Sequence, residues 1–260
     1  MSNRVTFTCL IALTGLSGSM MSAQGKPAAA NAVKTELPSG ESILDKFIEV
    51  TGGKESYKKM KNVIFKGSVS FPAMSVSGDF TMYRAEPNLM LTEINIPSIG
   101  KMLEGFDGVR GWRYSAVQGP AVKAGAEGDE AKGDSYFRDE EWRAKYSKTE
   151  TVALETVEGE ECYKVVITPK LGSPKTNFYS KKTGLMIRSD AKIVTEMGEF
   201  EAKTVHKDYK KVGDIIMPFQ QLNIGPMGTV TITFSEIKLN VDIPNSTFEP
   251  PAEVKALLNK

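Results

Sequence analysis

The sequence predicts a mainly β protein organised as one highly curved antiparallel sheet. Three observations carry that expectation. From Asn62 onward the spacing of apolar residues changes from the helical period of 3.6 to the strand period of 2. The alternation then recurs in run after run, punctuated by hairpin-type turn pairs. So long an antiparallel meander must roll up or split, because strand twist accumulates across it.

Residues 1–23 read as a secretory signal peptide. Arg4 supplies the positive charge, Val5–Leu16 the apolar core, and Ser22-Ala23 a small-residue exit before Gln24. That core is shorter than the ~20 apolar residues of a membrane-spanning helix. No transmembrane segment is therefore expected after cleavage, and a periplasmic location is; an uncleaved N-terminal anchor is the alternative. Cys9 lies inside the apolar core behind Thr6-Phe7-Thr8, which lacks the Leu-small-small pattern that precedes a lipidated cysteine. Residues 24–38 are Ala/Pro-rich with little to bury, and are expected as a flexible linker. The folded domain is expected over 39–260.

The domain's elements follow in order. Ser39 is the first candidate N-cap, with Ser42 as the alternative. Ile43, Leu44, Phe47, Ile48 and Val50 then form a stripe at helical spacing, and Gly52-Gly53 ends it. A second short helix is expected over Lys54–Met60. In the first strand Val63, Phe65, Gly67, Val69 and Phe71 share a face opposite Lys66, Ser68 and Ser70. After Pro72-Ala73, Met74, Val76, Gly78, Phe80 and Met82 share a face opposite Ser75, Ser77, Asp79 and Thr81. One buried and one wet face is the signature of antiparallel sheet.

Strands are next expected near 88–96, 100–106 and 109–115, the last two joined by an Asp107-Gly108 turn between Phe106 and Trp112. Trp112 faces the interior or caps its rim according to register. Residues 119–134 break the β pattern, and a short helical piece carrying Phe137 and Trp142 is expected over Tyr136–Arg143. Strands resume near 146–157, 161–169, 175–181, 185–195, 198–209, 214–224 and 228–239. Turn signals at Glu158-Gly159, Thr183-Gly184, Met197-Gly198, Gly213-Asp214 and Gly225-Pro226 separate them. A helix at Ala252–Leu258 closes the chain.

Charge and reactive residues exclude several function classes. The formal charge is +1, and removing the expected signal peptide with Arg4 brings it to 0, so there is no electrostatic footprint for nucleic acid. Cys162 is the one cysteine outside residues 1–23, so no internal disulfide is expected and a packed core must hold the domain. His206, the single histidine, is expected at the surface or a strand edge, with Asp208 two residues on and on the same face. Neighbouring Glu160 and Glu161 would raise rather than lower the Cys162 pKa, so it reads as a buried strand cysteine. The acids Glu127, Asp129, Glu130, Asp134, Asp139, Glu140 and Glu141 lack calcium-loop spacing and are interspersed with Lys132, Arg138 and Arg143. They read as a solvated face, or alternatively as a mobile gate. No nucleophile elbow, metalloprotease helix, phosphate loop or dinucleotide motif occurs in a suitable context. No catalysis, cofactor or metal is expected.

Several segments taken together resemble a known family. They are Gly52-Gly53, Gly67-Ser68-Val69-Ser70, Tyr83-Arg84-Ala85-Glu86-Pro87, Gly105-Phe106-Asp107-Gly108 with Trp112, Gly159–Val165, Tyr179–Leu185 and Asp208–Pro218. In this order, over roughly residues 41–255, the chain resembles the LolA/LolB-like group, in particular outer-membrane lipoprotein-sorting proteins. The resemblance implies an unclosed β-barrel around an apolar cavity with helices as a lid. It also implies a lid-latching arginine, for which Arg84 and Arg110 are the candidates, and a ligand that is a lipid or the acyl chains of a lipoprotein. The absence of a lipobox sets it apart from the membrane-anchored receptor.

Under that reading Phe65, Val69, Phe71, Val76, Phe80, Met82, Leu89, Leu91, Ile94 and Trp112 are the cavity candidates. Met74, Met82, Met90 and Met102 would suit an adaptable acyl-chain site. The lid candidates are Ile43, Leu44, Phe47, Ile48, Phe137 and Trp142. Ordinary core packing is the competing account of the same side chains. The expected function is non-catalytic binding or carriage of an apolar ligand by a monomer, with an envelope protein as a further partner. The rivals are an envelope interaction module with a filled barrel and an envelope hydrolase.

Overall fold

The computed structural model describes residues 36–195, 198–226 and 228–258. The expected signal peptide and most of the expected linker lie outside these residues, as does Met197 of one expected turn. Helix α1 (Gly40–Val50) starts where the Ser39 hydroxyl accepts the Ser42 N–H at 3.2 Å. Its last turn is closed by Thr51, whose N–H donates to Phe47 O at 3.0 Å. The buried Thr51 hydroxyl also meets Tyr57 Oη at 2.8 Å, tying α1 to α2 (Lys54–Lys59).

The strands are β1 (Asn62–Phe71), β2 (Val76–Ala85), β3 (Leu89–Ile96), β4 (Gly100–Asp107), β5 (Gly111–Ser115), β6 (Gly119–Val122), β7 (Tyr146–Val157), β8 (Glu160–Pro169), β9 (Lys175–Ser180), β10 (Met186–Thr195), β11 (Gly198–Val212), β12 (Ile215–Gly225) and β13 (Gly228–Leu239). Among the described residues all thirteen form one antiparallel sheet, ordered β6-β5-β4-β3-β2-β1-β13-β12-β11-β10-β9-β8-β7. The first and last strands pair in the middle of the sheet, and β6 and β7 are its two free edges. The sheet therefore does not close, and the fold is the unclosed barrel expected from the sequence.

Between the two edges the chain makes α3 (Gly125–Ser135), a 3₁₀ turn at Asp139–Glu141 and α4 (Trp142–Lys145). Helix α3 reaches across the opening, packing on β4 and β5 on one arm and β10 on the other. A 3₁₀ turn at Asn245–Phe248 and helix α5 (Ala252–Leu258) complete the chain. Two segments differ from expectation. Gly119–Val122 pairs as a short edge strand despite Pro120, which is tolerated because an edge strand spares a donor. Gly125–Ser135 is helical without an apolar stripe, held from outside by ion pairs to the sheet.

Register assigns every side chain to one of two faces. On the inner face Phe65 pairs with Met82, Gly67 with Phe80, and Phe71 with Val76; Phe80 pairs in turn with Ile94. At Gly67 the sheet coils so tightly that a Cβ would lie 2.8 Å from Phe234 Cα, so only glycine fits. The bulge beside it, between Lys66 and Gly67, sharpens the same bend. Against this face pack Ile43, Leu44 and Ile48 of α1, Tyr57 and Met60, and Phe137 and Trp142 of the insertion. Together with Val63, Val69, Phe234 and Ile237 they make the main core.

A second apolar cluster lies on the outer face. Leu91, Trp112, Phe248 and Val254 are buried together, with Tyr83, Leu89, Tyr114, Val122, Ile243 and Leu258 around them. The C-terminal segment thus folds back over β3–β6. Trp112 lies flat over Gly105, its register partner, where any Cβ would overlap the indole.

Candidate apolar groove and charged chamber

The inner face is a trough whose two ends differ. One end is filled. Phe65 and Phe80 both contact Phe234, with ring centroids 5.2 and 5.7 Å away, and Phe47 stacks edge-on against Tyr179 at 5.5 Å. The lid candidates Ile43, Leu44, Ile48, Phe137 and Trp142 are all buried in this plug, and Phe47 packs at its margin. Asp45 fastens α1 to α4: its carboxylate accepts from Arg143 at 2.9 and 2.8 Å and from Trp142 Nε1 at 3.2 Å. The hydrogen bond from Arg143 holds the Asp45 carboxyl below its ordinary pKa, against the opposing effect of burial.

The other end is open. A groove of about 660 Å³ is lined by Phe71, Val76, Ile94, Ile96, Ile99 and Met102, with Met74 at its edge. Its walls are mainly apolar, and its size lies within the ~300–1,000 Å³ of ligand sites. Among the sequence-derived candidates, Phe71, Val76 and Ile94, with Met74 and Met102, line this groove, whereas Phe65, Val69, Phe80 and Met82 belong to the filled core. Leu89, Leu91 and Trp112 do not face the trough at all. Met90 pairs with Phe106 and Leu91 with Gly105, so Met90, Ile94 and Phe106 point inward while Leu89, Leu91 and Trp112 point out beneath the C-terminal segment. Ile96 and Ile99 were missed, although the alternation across 89–96 already sets Ile94 and Ile96 on the face opposite Leu91.

Adjoining the groove is a charged chamber of about 510 Å³ beneath α3. Glu104 and Arg113 line both spaces. Arg113 Nη1 meets Glu127 Oε1 at 2.8 Å, Lys123 bridges Glu104 and Glu127, and Lys175 meets Asp134 at 2.6 Å and Glu130 at 3.5 Å. Burial opposes the Lys175 charge, yet Asp134 and Glu130 hold its ammonium above the ordinary pKa. The acidic run is a solvated face only in part: Asp129, Asp134 and Glu141 are exposed. Glu127, Glu130 and Asp134 are ion-paired to the sheet, and Glu140 is buried with its Oε2 unpartnered among the described residues.

Of the two latch candidates, Arg84 is the one that reaches the insertion. Its guanidinium donates to Asp134 O at 3.2 Å and Tyr136 O at 2.8 Å and lies 5.9 Å from the centre of the Phe137 ring. Arg110 sits in the exposed Asp107–Arg110 turn, where its N–H and that of Val109 donate to Asp107 Oδ1. Arg138 adds a second tie, bonding Lys58 O, Glu86 and Glu140.

The two potential reactive residues stand apart. His206 is not at the surface: it points inward beside Gln221, and burial lowers its pKa to about 4. Asp208 does not share its face. It adopts φ 56° and drops out of the β11–β12 pairing, which resumes in the same register at Tyr209 and Pro218. Cys162 is buried on the outer face, where burial and Glu160 push its thiol up to about 11.

Comparison with solved structures supports the fold assignment. The chain is similar to a DUF1329 family protein from Desulfovibrio piger at 16% identity and TM-score 0.55, covering 82% of this chain and 98% of that one. A LolA superfamily protein from Nitrosomonas europaea matches at 13% identity and TM-score 0.55, covering 82% and 99%. A domain described as an outer-membrane lipoprotein-sorting protein from Vibrio parahaemolyticus matches at 13% identity and TM-score 0.51, covering 84% and 100%. No protein-family model and no curated protein sequence matches the chain. At these identities the likeness is one of fold: a LolA/LolB-like open barrel.

Proposed function

We propose that this protein binds and carries an apolar ligand, a lipid or the acyl chains of a lipoprotein, without catalysis and in the periplasm. The observation that carries the reading is the open apolar groove of about 660 Å³ on the inner face of an unclosed barrel. The solved structures of the same fold that are described as LolA superfamily and lipoprotein-sorting proteins support it. Binding would proceed by burial, each methylene removed from water contributing about 0.8 kcal/mol. Release would follow reopening of the insertion held by Arg84, or transfer to a tighter acceptor, since a ligand moves only down its affinity difference. The deep pKa displacement of His206 and Cys162, and their placement on opposite faces, favour a binding role over hydrolysis.

The second reading is an envelope interaction module, favoured by the plug that fills half the trough. Uptake of a neutral apolar dye by the folded, delipidated protein separates the two. Saturable uptake that Met102→Glu abolishes supports the carrier; no uptake by a folded protein favours the module.

A further inference from the structure

Hairpin tips alternate between the two ends of an antiparallel sheet, and the two ends of this one differ in charge. At one end lie the turns after β2, β4, β7, β9 and β11, which carry Glu86, Arg110, Glu158, Lys181 and Asp214. At the other end the turns after β5, β3, β1 and β12 stand side by side in the sheet order. Residues 72–75, 97–99, 116–118 and the Gly225-Pro226 turn include no charged residue. Large exposed apolar side chains gather at the same end: Met74 is 59% exposed and Val117 74%, with Ile224 beside the turn after β12. The turn after β8, further along that end, adds exposed Leu171 next to Lys170. The groove opens between these tips, since Met74, Ile99 and Val117 line it.

We infer that this charge-free end docks on the surface of a lipid bilayer, with the groove mouth facing the lipid. Such docking is distinct from ligand carriage. It would serve carriage by letting a chain pass from one apolar phase to another without crossing water. Three features favour a bilayer over a protein partner. The tips hold no Trp, Tyr, Phe or Arg, the side chains that anchor most protein interfaces. They hold no charge that would fix register against a partner. Several of their backbone donors are absent or already satisfied, as a water-poor interface requires. Pro72, Pro97 and Pro226 have no N–H, and Ser75 donates to Pro72 O and Ile99 to Ile96 O, both at 3.0 Å. Val117 and Gln118 donate to Ser115 Oγ at 3.2 and 3.4 Å. Lys101, just behind the turn after β3, is paired with Glu93 at 2.9 Å. With no cation in the tips, anionic lipid gives them no added attraction.

The test is flotation of the protein, purified from its native host without detergent, with vesicles of phosphatidylcholine and phosphatidylethanolamine. Flotation is expected, changing by less than about twofold between about 0.05 and 0.5 M salt. Ser98 and Ala116 are exposed on the tips but do not line the groove. Ser98→Asp combined with Ala116→Asp should therefore lower vesicle affinity at least about tenfold, because a carboxylate resists burial in the lipid. Dye uptake in solution and the circular dichroism spectrum of that variant should stay native. Val109→Asp, at a position 75% exposed on the opposite end, should leave flotation unchanged. No flotation, flotation that survives the double substitution, or flotation only with anionic vesicles overturns the docking. So does a dimer in solution that the double substitution dissolves, without vesicle binding, which would make a second copy the occupant. Dye uptake without flotation refutes docking and leaves carriage standing; flotation without dye uptake supports docking and contradicts carriage.

Discussion

Replacing Arg84 with Met should loosen the insertion while leaving the sheet intact. The methionine keeps an apolar stem against Phe137 but removes the guanidinium that donates to Asp134 O and Tyr136 O at 3.2 and 2.8 Å. A hydrogen bond from a charged donor contributes about 1.5–3 kcal/mol, and less where water can replace it. The Asp134 contact is solvent-exposed and the Tyr136 contact only part-buried, so the net loss is set at about 1–3 kcal/mol for opening of the insertion. Amide hydrogen exchange across residues 125–145 should accelerate by about 5–150-fold, since ~1.4 kcal/mol is tenfold. Exchange in β1, β2 and β13 should stay at the wild-type rate, and Tm should fall by only a few degrees. Unchanged exchange in the insertion would refute the latch. Uniformly faster exchange would show that Arg84 supports the whole sheet instead.

Other substitutions address the two faces and the buried histidine. Gly105→Ala forces a methyl group into the Trp112 indole and should cost about 1–3 kcal/mol in urea denaturation, with dye uptake unaffected because the site is on the outer face. Met102→Glu places a carboxylate in the groove and should cut dye affinity at least tenfold with a native circular dichroism spectrum. His206 takes up its proton near 4 in the fold and near 6.5 when unfolded, so the unfolded chain binds more protons between those values. Stability should therefore fall as pH drops from about 6.5 towards 4, by roughly 2–3 kcal/mol in all, and His206→Gln should flatten that part of the profile in pH-resolved urea titrations. Asp45→Asn weakens the carboxylate that joins α1 to Arg143. The pair is more than one-third exposed, so the expected loss is at most about 1 kcal/mol, read as a small shift of the urea midpoint.

Much of this fold is legible in the sequence because its signals are local. Period-2 runs mark the strands, and Ser39, Gly52-Gly53 and Asp107-Gly108 mark the ends of elements by their own backbone chemistry. What eluded it depends on distant contacts. Trp112 looks like a cavity residue until Ile243, Phe248 and Val254 fold back to bury it on the outer face. His206 looks superficial because Asp208 follows two positions on, and a single left-handed residue breaks that inference. Helix α3 carries no apolar stripe, so its partners Arg113, Lys123 and Lys175, far off in sequence or across a turn, are what place it. The apolar candidates were sound as a population but not as a site, because a trough that is half plug and half groove divides residues of the same chemistry between core and lining.

The central claim is that the groove holds a lipid. Native mass spectrometry of the protein purified from its native host without detergent tests it directly. The account predicts a stoichiometric adduct with the mass of one amphiphile, lost in Met102→Glu. A folded protein that carries no adduct and takes up none when offered lipid would contradict it.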